Sequence, residues 1–388
     1  MSSISSPQAT CGYIDSIMPG IYGDQQEDYI KRTTEAAWDI VEQLKRSEKK
    51  DLQVLFFRCL ENLGALRRQI AHDHNTSSAE LFGIRREEVA IPWVFTILDN
   101  QYRKYNEKLI GILLQHFKEM GLSQEYQSVK TLEDKFLDRC TRFRIEIIEQ
   151  SEIIKKNWCL PLGADPEFRS NQEASEEKTS AKTVIDRNIL QNLREHRPAL
   201  YERQKMFVCL LNLNCAFPEI PEKCHLYPGY ILGTSELEIN GKMSALTQYF
   251  TWLSWDETEN VIDRMERCSK IMVFHHDIFQ IEETLKDVAK LFEQAALWNP
   301  TTDAMRQLKD LVGLFRYELA HAMPFIRGSA AVGEILEASL YWFHGFSSFR
   351  HSKPGDLEAL TSMLLTDFME TYHGMVNLES GGPSSSAI

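Results

Sequence analysis

The chain is short of basic residues, of paired cysteines and of long apolar runs, and each shortage removes a class of function. Its 388 residues hold 43 Lys and Arg against 56 Asp and Glu, for a formal net charge of −13. An acidic balance argues against nonspecific nucleic-acid binding, whose usual footprint is a basic face, so no nucleic-acid partner is expected. No uninterrupted apolar segment is long enough to span a bilayer, and the opening MSSISSPQATCGYIDS lacks the basic-then-apolar pattern of a cleaved secretory signal. A cytoplasmic location is expected, meaning the host cytosol if the chain is an exported effector. No GxSxG, Walker-type or GxGxxG sequence occurs, so serine-hydrolase and P-loop readings have no support.

Eight cysteines are present, yet none forms a CxxC pair, and most sit in apolar, helix-like surroundings. They read as small buried hydrophobes in a reducing compartment. Cys209, Cys215 and Cys224 with His225 come closest to a zinc set, but their spacing fits no standard finger.

What is present is helical periodicity. Tyr29, Thr33, Ala37, Ile40, Val41 and Leu44 form one stripe. A second helix is predicted from Asp51 as cap, through Leu55, Cys59, Leu63 and Ile70. A third carries Tyr102, Tyr105, Leu109, Leu113 and Phe117 and stops at Gly121; a fourth follows Leu132, Phe136, Cys140, Phe143 and Ile147. These stripes predict an N-terminal helical bundle over 1–159. The polar, small-residue stretch 160–182 reads as a linker or mobile loop, and 183–376 as a mainly helical second lobe. Within that lobe, Asn240-Gly241 sits between Leu237–Ile239 and Met243–Leu246. This predicts a β-hairpin near 229–255. Helices should then continue to about His373, and 377–388 should be a disordered tail. The expected fold class is mainly α, a helical bundle with a small β-hairpin insertion in the second half.

The most specific segment is YELAHAMPFIRGSAAVGEILEASLYWFHGF, from Tyr317 to Phe346. Pro324 should end one helix, Gly328 should free a turn, and Ser329 should cap the next helix. Arg327 beside a helix N-terminus is suited to a phosphate- or carboxylate-bearing ligand, with amides from Ser329 to Ala331 behind it. Glu334 would lie about one turn further on, either paired with Arg327 or acting as a base. The plainer alternative makes Arg327–Glu334 a structural ion pair, with Ala330, Ala331 and Gly333 permitting close helix packing.

The run Met323-Pro324-Phe325-Ile326-Arg327-Gly328-Ser329-Ala330-Ala331 resembles the core loop of Fic-type nucleotidyl-transfer proteins, His-Pro-Phe-x-Asp/Glu-Gly-Asn-Gly-Arg. The resemblance implies a helix–loop–helix nucleotide site used in group transfer, with the Asn240-Gly241 hairpin standing where such proteins carry a flap. Three positions depart from the pattern. The basic His falls on Met323, which takes no proton; the acidic metal ligand falls on Arg327, which would repel Mg²⁺; and the terminal Arg falls on Ala331. His321, two residues before Met323, would point elsewhere on a helix. Ordinary Fic chemistry is therefore not expected from these residues, even on a shared fold.

Two histidine clusters offer metal-ligand chemistry. His72-Asp73-His74 closes a predicted helix, and His275-His276-Asp277 lies between two, faintly resembling the His-Asp doublet of all-helical HD-type phosphohydrolases. A histidine near a helix C-terminus is ordinarily a dipole-favoured cap, so the metal reading competes with a structural one. Trp252 and Trp255 lie in an aromatic run that would either fill core or line a cleft beside the loop.

Three functions remain in competition. The first is an anion- or nucleotide-binding, possible group-transfer protein using Arg327, Gly328, Ser329, Glu334 and His321, with Trp252 and Trp255 lining the ligand. The second is a non-catalytic helical interaction protein, such as a bacterial effector with a protein partner in a host cell. The third is a metal-dependent helical enzyme using His72, His74, His275, His276 and Asp277. The sequence identifies no cofactor.

Overall fold

The computed structural model describes residues 24–76, 78–87, 95–98, 107–108, 191, 194–196, 230–239, 242–251, 271–276, 278–362 and 364–380. The expected third helix apart from 107–108, the fourth helix, the 160–182 linker, Trp252, Trp255 and Asp277 lie outside the described residues.

Helix dominates, as the periodicity predicts. Helix α1 (Asp24–Arg46) carries Asp24 and Glu27 in its first turn and Lys45 and Arg46 in its last, complementing its dipole. Its buried residues are Tyr29, Thr33, Ala37, Ile40, Val41 and Leu44, the stripe read from the sequence. Helix α2 (Leu52–Asp73) buries Leu55, Cys59, Leu63 and Ile70 among others. Asp51 does take its N-cap position but makes no side-chain cap hydrogen bond. It also closes a short 3-10 turn, Lys49–Asp51, which holds its backbone near the helical region and not in the extended form a capping side chain needs.

The second half supplies α3 (Ile278–Ala296), α4 (Met305–Ala322), α5 (Ser329–Phe343), α6 (Gly355–Leu360) and α7 (Leu365–Met375). Helix α5 is apolar nearly all round, which fits a helix enclosed on every side. It packs against α1, α2, α4 and the strand that follows it. One core cluster draws on each of these seven helices, with Phe56, Phe292 and Phe315 meeting at ring separations of 5.6 to 6.2 Å. Each fully buried Leu or Phe contributes about 1.5–3 kcal/mol, so this cluster dominates stability. Trp38 of α1 stacks on Trp342 of α5 with centroids 5.0 Å apart and planes 19° from parallel.

The hairpin forms where Asn240-Gly241 predicts it: β2 (Tyr230–Ile239) and β3 (Lys242–Thr251) flank that dipeptide. They belong to a four-stranded sheet ordered β1-β4-β3-β2, with β1 at Phe95–Leu98 and β4 at Ile271–Phe274. Strand β4 pairs antiparallel with both β1 and β3.

Helices continue toward His373 as expected, and among them the chain adds β5 (Phe346–His351) and β6 (Val376–Ser380), an antiparallel pair. The pairing joins residues some thirty apart, so no local period announces it. Strand β6 runs from Val376 over the first four residues of the expected tail 377–388, and 381–388 is outside the described residues.

The chain divides into two compact units. One comprises Met1–Glu88, Ser235–Leu246 and Phe279–Ile388; the other comprises Val89–Thr234 and Thr247–Ile278. This division differs from the expected break at 160–182, because α1 and α2 share a core with α3 to α7.

Candidate functional site

The junction between α4 and α5 begins where Met323 turns left-handed, with φ 43°. Such backbone in a non-glycine residue costs on the order of 1–3 kcal/mol and needs support from its surroundings. Arg86, fully buried, supplies it: one guanidinium nitrogen donates to the carbonyls of Ala322 and Met323, each at 3.2 Å. These are carbonyls that a helix C-terminus leaves without an intrahelical donor.

The loop then lies along segment 82–86 like a short strand. The Arg86 amide donates to the Pro324 carbonyl at 3.0 Å, the Ile326 amide to Ile84 at 2.9 Å, and the Gly83 amide to Arg327 at 3.0 Å. Arg68 fixes the other side of that segment by donating to the carbonyls of Phe82 and Gly83, at 3.0 and 3.1 Å. A Cβ on Gly83 would stand 1.8 Å from the Gly64 carbonyl oxygen, so only glycine lets the segment lie against α2. Gly64 and Gly83 are therefore part of the site, although neither carries chemistry that a sequence reading would single out.

Ser329 does not cap α5. Gly328, with φ 94°, holds the cap position, and Ser329 is the first helical residue. The buried Ser329 hydroxyl instead accepts from the Phe325 amide at 3.1 Å and donates to the Phe325 carbonyl at 3.3 Å. It ties the loop to itself. Arg327 is half-buried, with its guanidinium over the Phe82 ring at 5.7 Å. Arg67, buried in α2, approaches the same ring at 5.6 Å and Tyr29 at 4.8 Å. Two guanidinium groups thus flank Phe82 beside the start of α5.

His321 is fully buried, edge-on to Tyr317 with centroids 4.3 Å apart. Burial pushes its imidazole down to about 3, against a contribution from the Ala359 backbone, so it is neutral at physiological pH. Glu334 is half-buried, and its charge acts on Arg316, not merely on its own loop. His72 is exposed at the end of α2, and His74 contacts Asp28 Oδ2 through Nε2 at 2.9 Å. His275 and His276 are buried just after β4 and belong to the other unit. Among the described residues no group of three or more His, Cys, Asp or Glu is arranged to hold a metal ion. Burial pushes the Cys59 thiol up to about 12, which leaves it unreactive.

A second polar constellation escaped the sequence reading. Buried Arg316 of α4 lies 2.8 Å from Glu337 of α5 and also pairs with Asp356 of α6. His351 of β5 meets Glu337 at 3.0 Å, and the Tyr372 hydroxyl of α7 donates to the same carboxylate and contacts Tyr341 at 3.0 Å. Burial opposes the guanidinium's charge, but Asp356 and Glu337 outweigh it and hold Arg316 ionised. Burial, then Glu337, keeps Tyr341 and Tyr372 protonated. The signal in the sequence was a charge at a core register, Arg316 within LVGLFRYELA and Glu337 within VGEILEASLYW. With Glu337 and Asp356 both ion-paired to Arg316, and Arg316 and Glu337 almost unexposed, this constellation is suited to holding five elements together.

The hairpin, the junction loop and this ionic centre lie in one stretch of sequence, and that stretch is what a comparison with known proteins picks out. No curated protein matches the chain. The family model AvrB_AvrC, described as avirulence protein, matches residues 232–379.

Proposed function

We propose that this chain is a bacterial effector that works inside a host cell by engaging a host protein. The observation that carries the reading is the match of an avirulence-protein family model to residues 232–379, from β2 into β6. The junction loop favours recognition over catalysis: the positions where Fic-type chemistry needs a base, a metal-binding acid and an Arg hold Met323, Arg327 and Ala331. His321, nearest in sequence to the missing base, is neutral and enclosed. No helix among the described residues is long and apolar enough to cross a membrane. The test is proximity labelling by the full-length chain produced inside cells of a candidate host. One host protein should be enriched reproducibly over an unrelated acidic control, with a change in the host response; neither outcome in any host tried would remove the reading.

A second reading keeps the loop as a degenerate, Fic-like anion site. It is favoured by the two guanidinium groups of Arg67 and Arg327 flanking Phe82 beside the α5 N-terminus, an arrangement suited to phosphate.

A further inference from the structure

We propose that Glu318 is a pH-sensitive switch, a neutral carboxylic acid packed between α3 and α4 whose ionisation loosens the two helices. Glu318 is 1% exposed, and its Oε2 has no hydrogen-bond partner among the described residues. An ionised carboxylate in that position would lack the donors that make a buried charge tolerable.

The charges that act on it come from α3. They are Asp287, which repels it, and Lys290, which attracts it but is also bound 3.2 Å from Asp287. The Lys290–Asp287 pair lies within one helix, so the aspartate's repulsion offsets part of the lysine's attraction at Glu318. Glu337 of α5 and Asp356 of α6 meet α4 at Arg316, two positions earlier, and His351 of β5 joins them through Glu337. Two positions turn a helix by about 200°, which places that network on the opposite face. The same two helices also bring Phe292 and Phe315 together, with ring centroids at 6.2 Å.

Burial first, and Asp287 second, push the Glu318 carboxyl up to about 8 from an ordinary value of 4.5. The folded chain therefore holds a proton that the unfolded chain releases between those values. Stability from this group is full below about pH 4.5 and is lost as pH rises toward about 8.

The experiment is equilibrium unfolding of the full-length chain and of Glu318→Gln, each from about pH 5 to about pH 9. The neutral isostere cannot ionise, so its folding equilibrium should gain on the wild type by at least about tenfold across the range, with most of the gain before pH 8. A gap that stays constant with pH overturns the proposal. Asp287→Asn, which keeps Glu318 but removes the repelling charge, should shrink the alkaline loss. If Glu318→Gln does not fold, an unchanged alkaline loss in Asp287→Asn overturns it instead.

Discussion

At the scale of single residues, the ionic centre rests on the smallest side chain near it. A Cβ on Gly333 would come within 1.7 Å of an Arg316 guanidinium nitrogen, so Gly333→Ala must drive the guanidinium from its seat. That leaves Glu337 buried with its main counter-charge displaced, a change that costs about 3–5 kcal/mol. Urea unfolding should record that loss, whereas Gly374→Ala in α7, where an added Cβ meets nothing within 4 Å, should be neutral or stabilising by up to about 1 kcal/mol. Equal effects at both positions would show that the cost is not the guanidinium's. The sequence placed Arg316 and Glu337 on helices but gave no reason to join them, because a partner across helices leaves no period in either one. His321 was legible as a helix residue, but its role was not. Its burial depends on α6, whose Ala359 carbonyl lies far along the chain.

At the scale of elements, the amphipathic stripes of α1 and α2 were readable to the residue, since one-sided burial writes itself into a 3.6-residue period. The hairpin was readable from Asn240-Gly241. Strands β5 and β6 were not, because their pairing is long-range and α5 to α7 intervene or flank. The junction loop was half legible. Pro324 and Gly328 marked the break, while the strand-like pairing with 82–86 and the Ser329 tie to Phe325 came only with the fold. If that loop holds phosphate, ADP should raise the unfolding midpoint of the wild type and leave that of Arg327→Ala unmoved. The substitution itself should cost little, about 0.5–1 kcal/mol for a half-exposed guanidinium over Phe82. An ADP response retained in Arg327→Ala would place any nucleotide elsewhere.

At the scale of the whole molecule, the family match and the compact unit do not coincide. Residues 232–379 include α3 to α7, but α1 and α2 complete the same core and segment 82–86 shapes the junction loop. A fragment covering 232–388 would expose the faces of α5 that α1 and α2 cover, and would lose Arg86 from the end of α4. It should lack a cooperative thermal transition and should bind an apolar dye, whereas the full chain should melt cooperatively; a sharp melt from the fragment alone would contradict this. Periodicity alone groups helices that are adjacent in sequence, whereas here the chain returns to its first two helices after a long excursion.

The face-to-face indoles of Trp38 and Trp342 have a practical consequence. One ring rides on the opening helix and the other on the segment that the avirulence-protein family model matches, so the molecule carries an optical gauge across that seam. Exciton coupling between the two chromophores exists only while the amino-terminal helix is seated, which lets near-ultraviolet dichroism follow its departure in unlabelled protein.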